Sequence, residues 1–210
     1  MFVDIHTHIL PPSGTVAIRN LSLADVEKVL IPEGNGFFSA GLHPWYTDDF
    51  TAENFAFLEV LFIDKRLVAI GECGMDKNSK VALSHQLFVF EKHIALSEKI
   101  RKPLIIHCVG CYNEIFELKK KLQPQQLWIF HGFRGKPELA KQALNAGCSL
   151  SYGEHFNRES VRITPVDQLY IETDESTIAI DEIYARISNI KNCKAEELTA
   201  GMNLIQSFAL

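Results

Sequence analysis

Phe2-Val3-Asp4-Ile5-His6-Thr7-His8 opens the chain, and the fold turns on how this stretch is read. As a β-strand its side chains alternate, so Asp4, His6 and His8 share one face while Val3, Ile5 and Thr7 take the other. Two imidazoles then point the same way at a strand's end, and neutral imidazole is the commonest metal ligand. Such a pair cannot complete a coordination shell. If it is part of a metal site, the missing ligands come from later elements, each delivering its own.

Outward from that strand, the same pattern recurs. Phe37 to Leu42 reads as a strand that Pro44 stops within Gly41-Leu42-His43-Pro44-Trp45, leaving His43 at its end. Leu67 to Ile70 is a buried-type strand that runs into Gly71-Glu72-Cys73-Gly74-Met75-Asp76. Pro103 to His107 and Leu127 to His131 are apolar runs of parallel-strand type, each closed by a histidine. Cys148 to Tyr152 is a weaker strand, and Gln168 to Asp174 is one that ends in a carboxylate.

Helical signals fill the intervals. Thr51 caps a helix with Phe55, Leu58 and Phe62 on one face. Leu83, Leu87, Phe90 and Ile94 mark a long amphipathic helix. Pro137 opens a further helix and Gly147 closes it. Two more are expected near Asp181 to Ile190 and Ala195 to Phe208. Pro11 to Asn20 reads as a loop, followed by a capping box at Ser22-Leu23-Ala24-Asp25 and a short helix.

About seven strands alternating with helices predict a parallel sheet with right-handed crossovers. Because polar groups sit at the carboxyl ends of the strands, the expected closure is a TIM-like (β/α) barrel, whose strand ends converge on one face. At 210 residues the chain is short against the ~250 typical of that barrel, so the barrel is expected to be trimmed or to have one degenerate stave. An open doubly wound sheet is the alternative; its strand ends do not ring a centre, and the Gly-rich phosphate loop it would use is missing.

Composition bounds the reading further. Hydrophobic residues at 47% and charged residues at 22% describe an ordinary globular chain, expected to form a single domain over residues 1–210. A net charge of −5 provides no bulk attraction to nucleic acid, so such a substrate needs local cationic contacts. The start lacks the pattern of a signal peptide, and the longest apolar stretch, Phe55 to Ile63, is interrupted by Glu59 and too short to span a bilayer. The expectation is a cytoplasmic monomer. Five scattered cysteines are expected to be reduced thiols, with Cys108 and Cys111 as small residues of a strand-to-helix turn.

Six groups of ligand type sit at strand ends: His6, His8, Glu72, His107, His131 and Asp174. Four histidines and two carboxylates are too many for one tetrahedral zinc and suit two divalent ions sharing a bridging carboxylate. Carboxylates suit magnesium and imidazoles suit zinc or manganese, so ion identity stays open.

The chain resembles the TatD-type metal-dependent hydrolases, deoxyribonuclease-like members of the amidohydrolase-type barrel group. Asp4-Ile-His-Thr-His8 resembles the family's Asp-x-His-x-His, Gly41-Leu-His-Pro44 its Gly-Ile-His-Pro, and Gly71-Glu-Cys-Gly-Met-Asp76 its Gly-Glu-Ile-Gly-Leu-Asp. Leu104-Ile-Ile-His107, His131-Gly-Phe-Arg-Gly135 and Glu172-Thr-Asp174 are similar to Val-Ile-Ile-His, His-Cys-Phe-Ser-Gly and Glu-Thr-Asp. The resemblance implies that His6, His8 and Asp174 hold one metal and His107 and His131 the other, with Glu72 bridging and His43 beside the substrate phosphate. The chain departs from the pattern at Cys108 and Val109, where the family has serine and arginine, and at Trp45, where it has a second histidine.

The function this implies is a phosphodiesterase or deoxyribonuclease. Glu72 and Asp174 would be ligands, Asp174 would also orient the attacking water or accept its proton, and His43 would serve the phosphate. Nucleic acid, or a smaller phosphate ester, is the expected substrate. Trp45 is a candidate to stack a base, and Lys77, Arg134 and Arg158 are candidate phosphate contacts. Two alternatives remain open: hydrolysis of another ester or amide at the same site, and a catalytically silent barrel that binds metal or a partner.

Overall fold

The computed structural model of the chain describes residues 2–22 and 36–208. Eight strands, all parallel and in sequence order, form one sheet: β1 (Val3–Thr7), β2 (Val16–Ser22), β3 (Phe37–Gly41), β4 (Leu67–Asp76), β5 (Leu104–Val109), β6 (Trp128–Phe130), β7 (Ser149–Tyr152) and β8 (Leu169–Ile171). The barrel closes where Thr7 bridges Asp174 in parallel, with His8 N–H donating to Asp174 O at 3.1 Å and Asp174 N–H to His6 O at 2.9 Å. The expected barrel is therefore present.

Seven α-helices accompany the strands among the described residues: α1 (Ala52–Leu61), α2 (Leu83–Ile100), α3 (Tyr112–Leu122), α4 (Pro137–Asn145), α5 (Arg158–Ile163), α6 (Ile180–Lys191) and α7 (Ala200–Phe208). Thr51 caps α1 by accepting Asn54 N–H, and Pro137 opens α4. Cys111 stands immediately before α3, in the turn expected for it, and all five cysteines are free. No described helix is long and apolar enough to cross a membrane.

Strand alternation sets the two cores. Leu104 and Ile106 of β5 and Trp128 and Phe130 of β6 pack outward against helices, in a cluster with Phe90 and Ile94 of α2 and Ile115 of α3. Ile105 and Ile129 face the other way, meeting Ile5, Ile18, Val68 and Tyr170 from four more strands together with Leu204 and Ile205 of α7. Six strands share that cluster only inside a barrel. The parity that turns Ile105 and Ile129 inward turns His107 and His131 inward two positions later.

At β4 the backbone comes so close to β5 that side chains are excluded. A Cβ on Gly71 (φ +153°) would sit 2.6 Å from Ile105 O, and one on Gly74 (φ +137°) 2.1 Å from His107 O. Pairing slips between Ile70 and Cys73, and the irregularity carries Glu72 into the barrel mouth.

Three expectations need correction. Among the described residues there are eight strands, not about seven, because Val16–Ser22, which overlaps the expected loop, is β2, paired with both β1 and β3. Ser22 is the last residue of that strand, and the rest of the expected capping box and its helix lie outside the described residues. Asp4 does not join His6 and His8 at the mouth: register shifts between Asp4 and Thr7, and the carboxylate turns to the seam, accepting Thr173 N–H at 3.0 Å and Thr173 Oγ1–H at 2.6 Å. On α2 Phe90 and Ile94 are buried as expected, but Leu83 is exposed and Leu87 only partly buried, while Gln86, which bonds the backbone of Asp76 and Val81, is buried with Val89 and His93.

Candidate metal centre

The six strand-end ligand candidates converge. Glu72 is buried at their centre, and its two carboxylate oxygens face different histidines. Oε2 lies 3.6 Å from His6 Nε2 and 3.2 Å from His8 Nε2, whereas Oε1 lies 2.6 Å from His107 Nδ1 and 2.7 Å from His131 Nε2. Asp174 joins the first group, with Oδ1 3.7 Å from His6 Nε2 and 3.6 Å from His8 Nε2. Asp174 sits at φ +56°, a left-handed conformation that aspartate tolerates better than most residues, just beyond the end of β8.

This donor set fits a divalent metal. Among the described residues, His6, His8 and Asp174 form one set of donors close enough to hold a cation, and Glu72 joins two further sets, one with His6 and His131 and one with His43 and His107. Both ring nitrogens of His6, wholly buried, lack a hydrogen-bond partner among the described residues, as does His131 Nδ1. Buried polar atoms without partners are costly, and a cation on His6 Nε2 would remove part of that cost. Burial alone pushes the Glu72 carboxyl up, but His131, with hydrogen bonds from His107, His131 and His43, outweighs it and holds the group well below the usual carboxylate range. Burial is the largest influence on Asp174 too, and there it leaves the carboxyl raised.

His43 stands beside the six candidates, within reach of both Glu72 and His107. Its Nδ1 accepts the Trp45 backbone N–H at 3.2 Å, so the ring proton belongs on Nε2, which is turned inward 3.4 Å from Glu72 Oε1. A donor facing the site suits a phosphoryl oxygen better than a cation.

Two carboxylates stand behind the ligand histidines, and neither received a role in the sequence reading. Asp76, buried, accepts from His107 Nε2 at 3.1 Å and thereby leaves Nδ1 to face Glu72. Glu172, also buried, lies 3.5 Å from His131 Nδ1 and accepts Gly132 N–H at 2.5 Å. The available signal was their position within the motifs already quoted, Asp76 on the strand of Glu72 and Glu172 two residues before Asp174.

The ligands open into a cavity of about 320 Å³ lined by His8, His43, Trp45, Tyr46, Glu72 and Asp174 among others. Trp45 forms part of its wall and is 53% exposed as a residue. Arg134 lines adjoining cavities that also reach His131 and Asp174. Lys77 is not brought to the cavity; its Nζ pairs with Glu114 at 3.3 Å. Arg158 opens α5 and does not line these cavities.

Comparison with known proteins agrees with this geometry. The family model described as TatD related DNase matches residues 14–202. An uncharacterized metal-dependent hydrolase of Haemophilus influenzae is 25% identical over 85% of this chain and 82% of its own length. The metal-dependent hydrolase YabD of Bacillus subtilis is 31% identical over 69% of this chain, and the 3'-5' ssDNA/RNA exonuclease TatD of Erwinia amylovora is 29% identical over 65%. Those two matches span 61% and 56% of the relatives' own lengths. Among solved structures, the TatD homologue YJJV of Escherichia coli superposes with a TM-score of 0.80 at 17% identity, covering 99% of this chain and 97% of that one. A converging donor set at the mouth of a parallel barrel and a family match over most of the chain lead to one conclusion: the chain belongs to the TatD-related DNase family.

Proposed function

We propose that this metal-dependent hydrolase cleaves phosphodiester bonds in nucleic acid at a site holding two divalent ions. The observation that carries the reading is the division of Glu72, one oxygen toward His6 and His8 and the other toward His107 and His131. Such ions, as magnesium, manganese or zinc, lower the pKa of a bound water and neutralise charge on the scissile phosphate. The side chains do the rest. Asp174, turned toward His6 and His8, accepts the proton of the attacking water. His43 donates from Nε2 to a phosphate oxygen, and Arg134 approaches through the adjoining cavity, which also reaches His131. The exposed Trp45 ring provides a face on which a base stacks, a contact worth ~1–3 kcal/mol and indifferent to sequence. The Erwinia relative's name supports single-stranded DNA or RNA as the class of substrate. The reading is completed by a single-domain, monomeric, cytoplasmic protein.

The test is cleavage of single-stranded DNA and RNA oligonucleotides with added magnesium, manganese or zinc. Native protein is expected to turn over, and Glu72→Ala to lose at least about a hundredfold while remaining folded. A metal-loaded native protein that cuts no nucleic acid would overturn the reading. Hydrolysis of another ester or amide is a second reading, favoured by the cavity of about 380 Å³ beside the ligands, whose wall includes Cys108, Val109, Gly110 and Tyr112. Activity confined to diesters rejects it, and any metal-dependent turnover rejects a silent scaffold.

A further inference from the structure

Trp45 makes two hydrogen bonds that stacking does not explain. Its backbone N–H goes to His43 Nδ1 at 3.2 Å, and its indole Nε1–H donates to Asp76 Oδ2 at 2.6 Å. That oxygen is the one that accepts from His107 Nε2 at 3.1 Å, while Asp76 Oδ1 is occupied by Asn78 N–H at 2.7 Å. The carboxylate plane is thus clamped from both ends.

We propose that Trp45 is a positioning residue for His107: its indole N–H fixes the Asp76 carboxylate, which holds the His107 ring with Nδ1 turned toward Glu72. The proposal rests on the two-ion reading above and adds a residue to its support.

Gln86 holds the Asp76 backbone separately, accepting Asp76 N–H at 2.8 Å and donating to Asp76 O at 3.1 Å. Loss of the indole N–H therefore releases the carboxylate without releasing β4. With one clamp gone, Asp76 Oδ2 rotates about its last bond or takes up water, and His107 loses its fixed partner. Partners behind a metal-bound histidine change metal affinity by about 10–100-fold, and a group one bond further out belongs at the low end of that range. The indole N–H is a better-defined donor than most at a surface, because it comes from a side chain whose ring is also set edge-on against His43, with centroids 5.3 Å apart.

The experiment compares native protein, Trp45→Phe, Asp76→Asn and the double variant, each stripped of metal and titrated with Zn²⁺ by calorimetry. Trp45→Phe keeps an aromatic face and loses only the indole and its N–H. It is expected to weaken one of two binding events about tenfold, leaving the other within about twofold. In the Asp76→Asn background the same change is expected to add less than about twofold, because the two residues act in series. In metal-free protein the Trp45 indole N–H, read by NMR against Trp128, is expected to exchange slowly with solvent and to quicken in Asp76→Asn.

Trp45→Phe with unchanged zinc affinities, or effects that multiply fully in the double variant, would overturn the positioning role and leave Trp45 as a stacking wall only. A Trp45 N–H that exchanges like free indole in the native protein would overturn it as well. The exchange measurement needs no bound metal, so it separates failure of this proposal from failure of the two-ion reading.

Discussion

His93 is wholly buried on α2, beneath the strand end that carries His43. Leu42 N–H donates to its Nε2 at 3.0 Å, so Nδ1 bears the proton and donates to Val89 O at 2.9 Å. Charging the ring would set a second proton against an N–H in an apolar enclosure, and burial holds its pKa down at about 4 against an ordinary 6.5. With the folded pKa depressed, the unfolded chain binds the proton first as pH falls. The stabilisation from a neutral His93 is therefore complete above 6.5 and drains away as pH drops toward 4. At about 1.36 kcal/mol per unit, the loss is about 2 kcal/mol between pH 7 and pH 5 and about 3 kcal/mol by pH 4. Urea unfolding of metal-free native protein and His93→Gln across that range isolates the effect, because glutamine can accept the Leu42 N–H without titrating. The native curve is expected to fall about 2 kcal/mol further than the variant's between pH 7 and pH 5. Parallel curves would show that His93 does not carry this pH dependence.

Gly74→Ala drives a Cβ to 2.1 Å from His107 O at φ +137°, and is expected to cost about 3 kcal/mol or more in urea unfolding, or to prevent folding. For Arg134→Ala, oligonucleotide binding is expected to weaken and its logarithmic salt slope to shrink by about 0.7, one phosphate contact on a single strand, with metal occupancy intact; an unchanged slope would remove Arg134 from the substrate contacts.

Much of the site was legible in the linear chain because each ligand candidate punctuates an apolar run. His107 closes the apolar run within β5 and His131 follows β6, and the alternation counted along each strand turns both inward. β2 was hidden for the opposite reason. Arg19 and Asn20 interrupt its apolar pattern, and both find partners in β3: Arg19 lies over the Phe38 ring at 5.4 Å, and Asn20 accepts from Ser39 Oγ–H at 3.1 Å. Helix α5 was missed because its six residues are too few to display a period, although Asn157 caps it.

The linear chain determined the alternation of strands and helices, the barrel those strands close into, and the six strand-end groups, because these follow from local periodicity and the residue that ends each run. Tertiary structure decided what depends on approach between distant segments. It turned Asp4 away to latch Thr173 across the seam, set Asp76 behind His107 and Glu172 behind His131, and paired Lys77 with Glu114 instead of the cavity. A bulge reverses a strand's parity, and a hydrogen bond fixes which ring nitrogen is free; both depend on neighbours that sequence distance does not reveal.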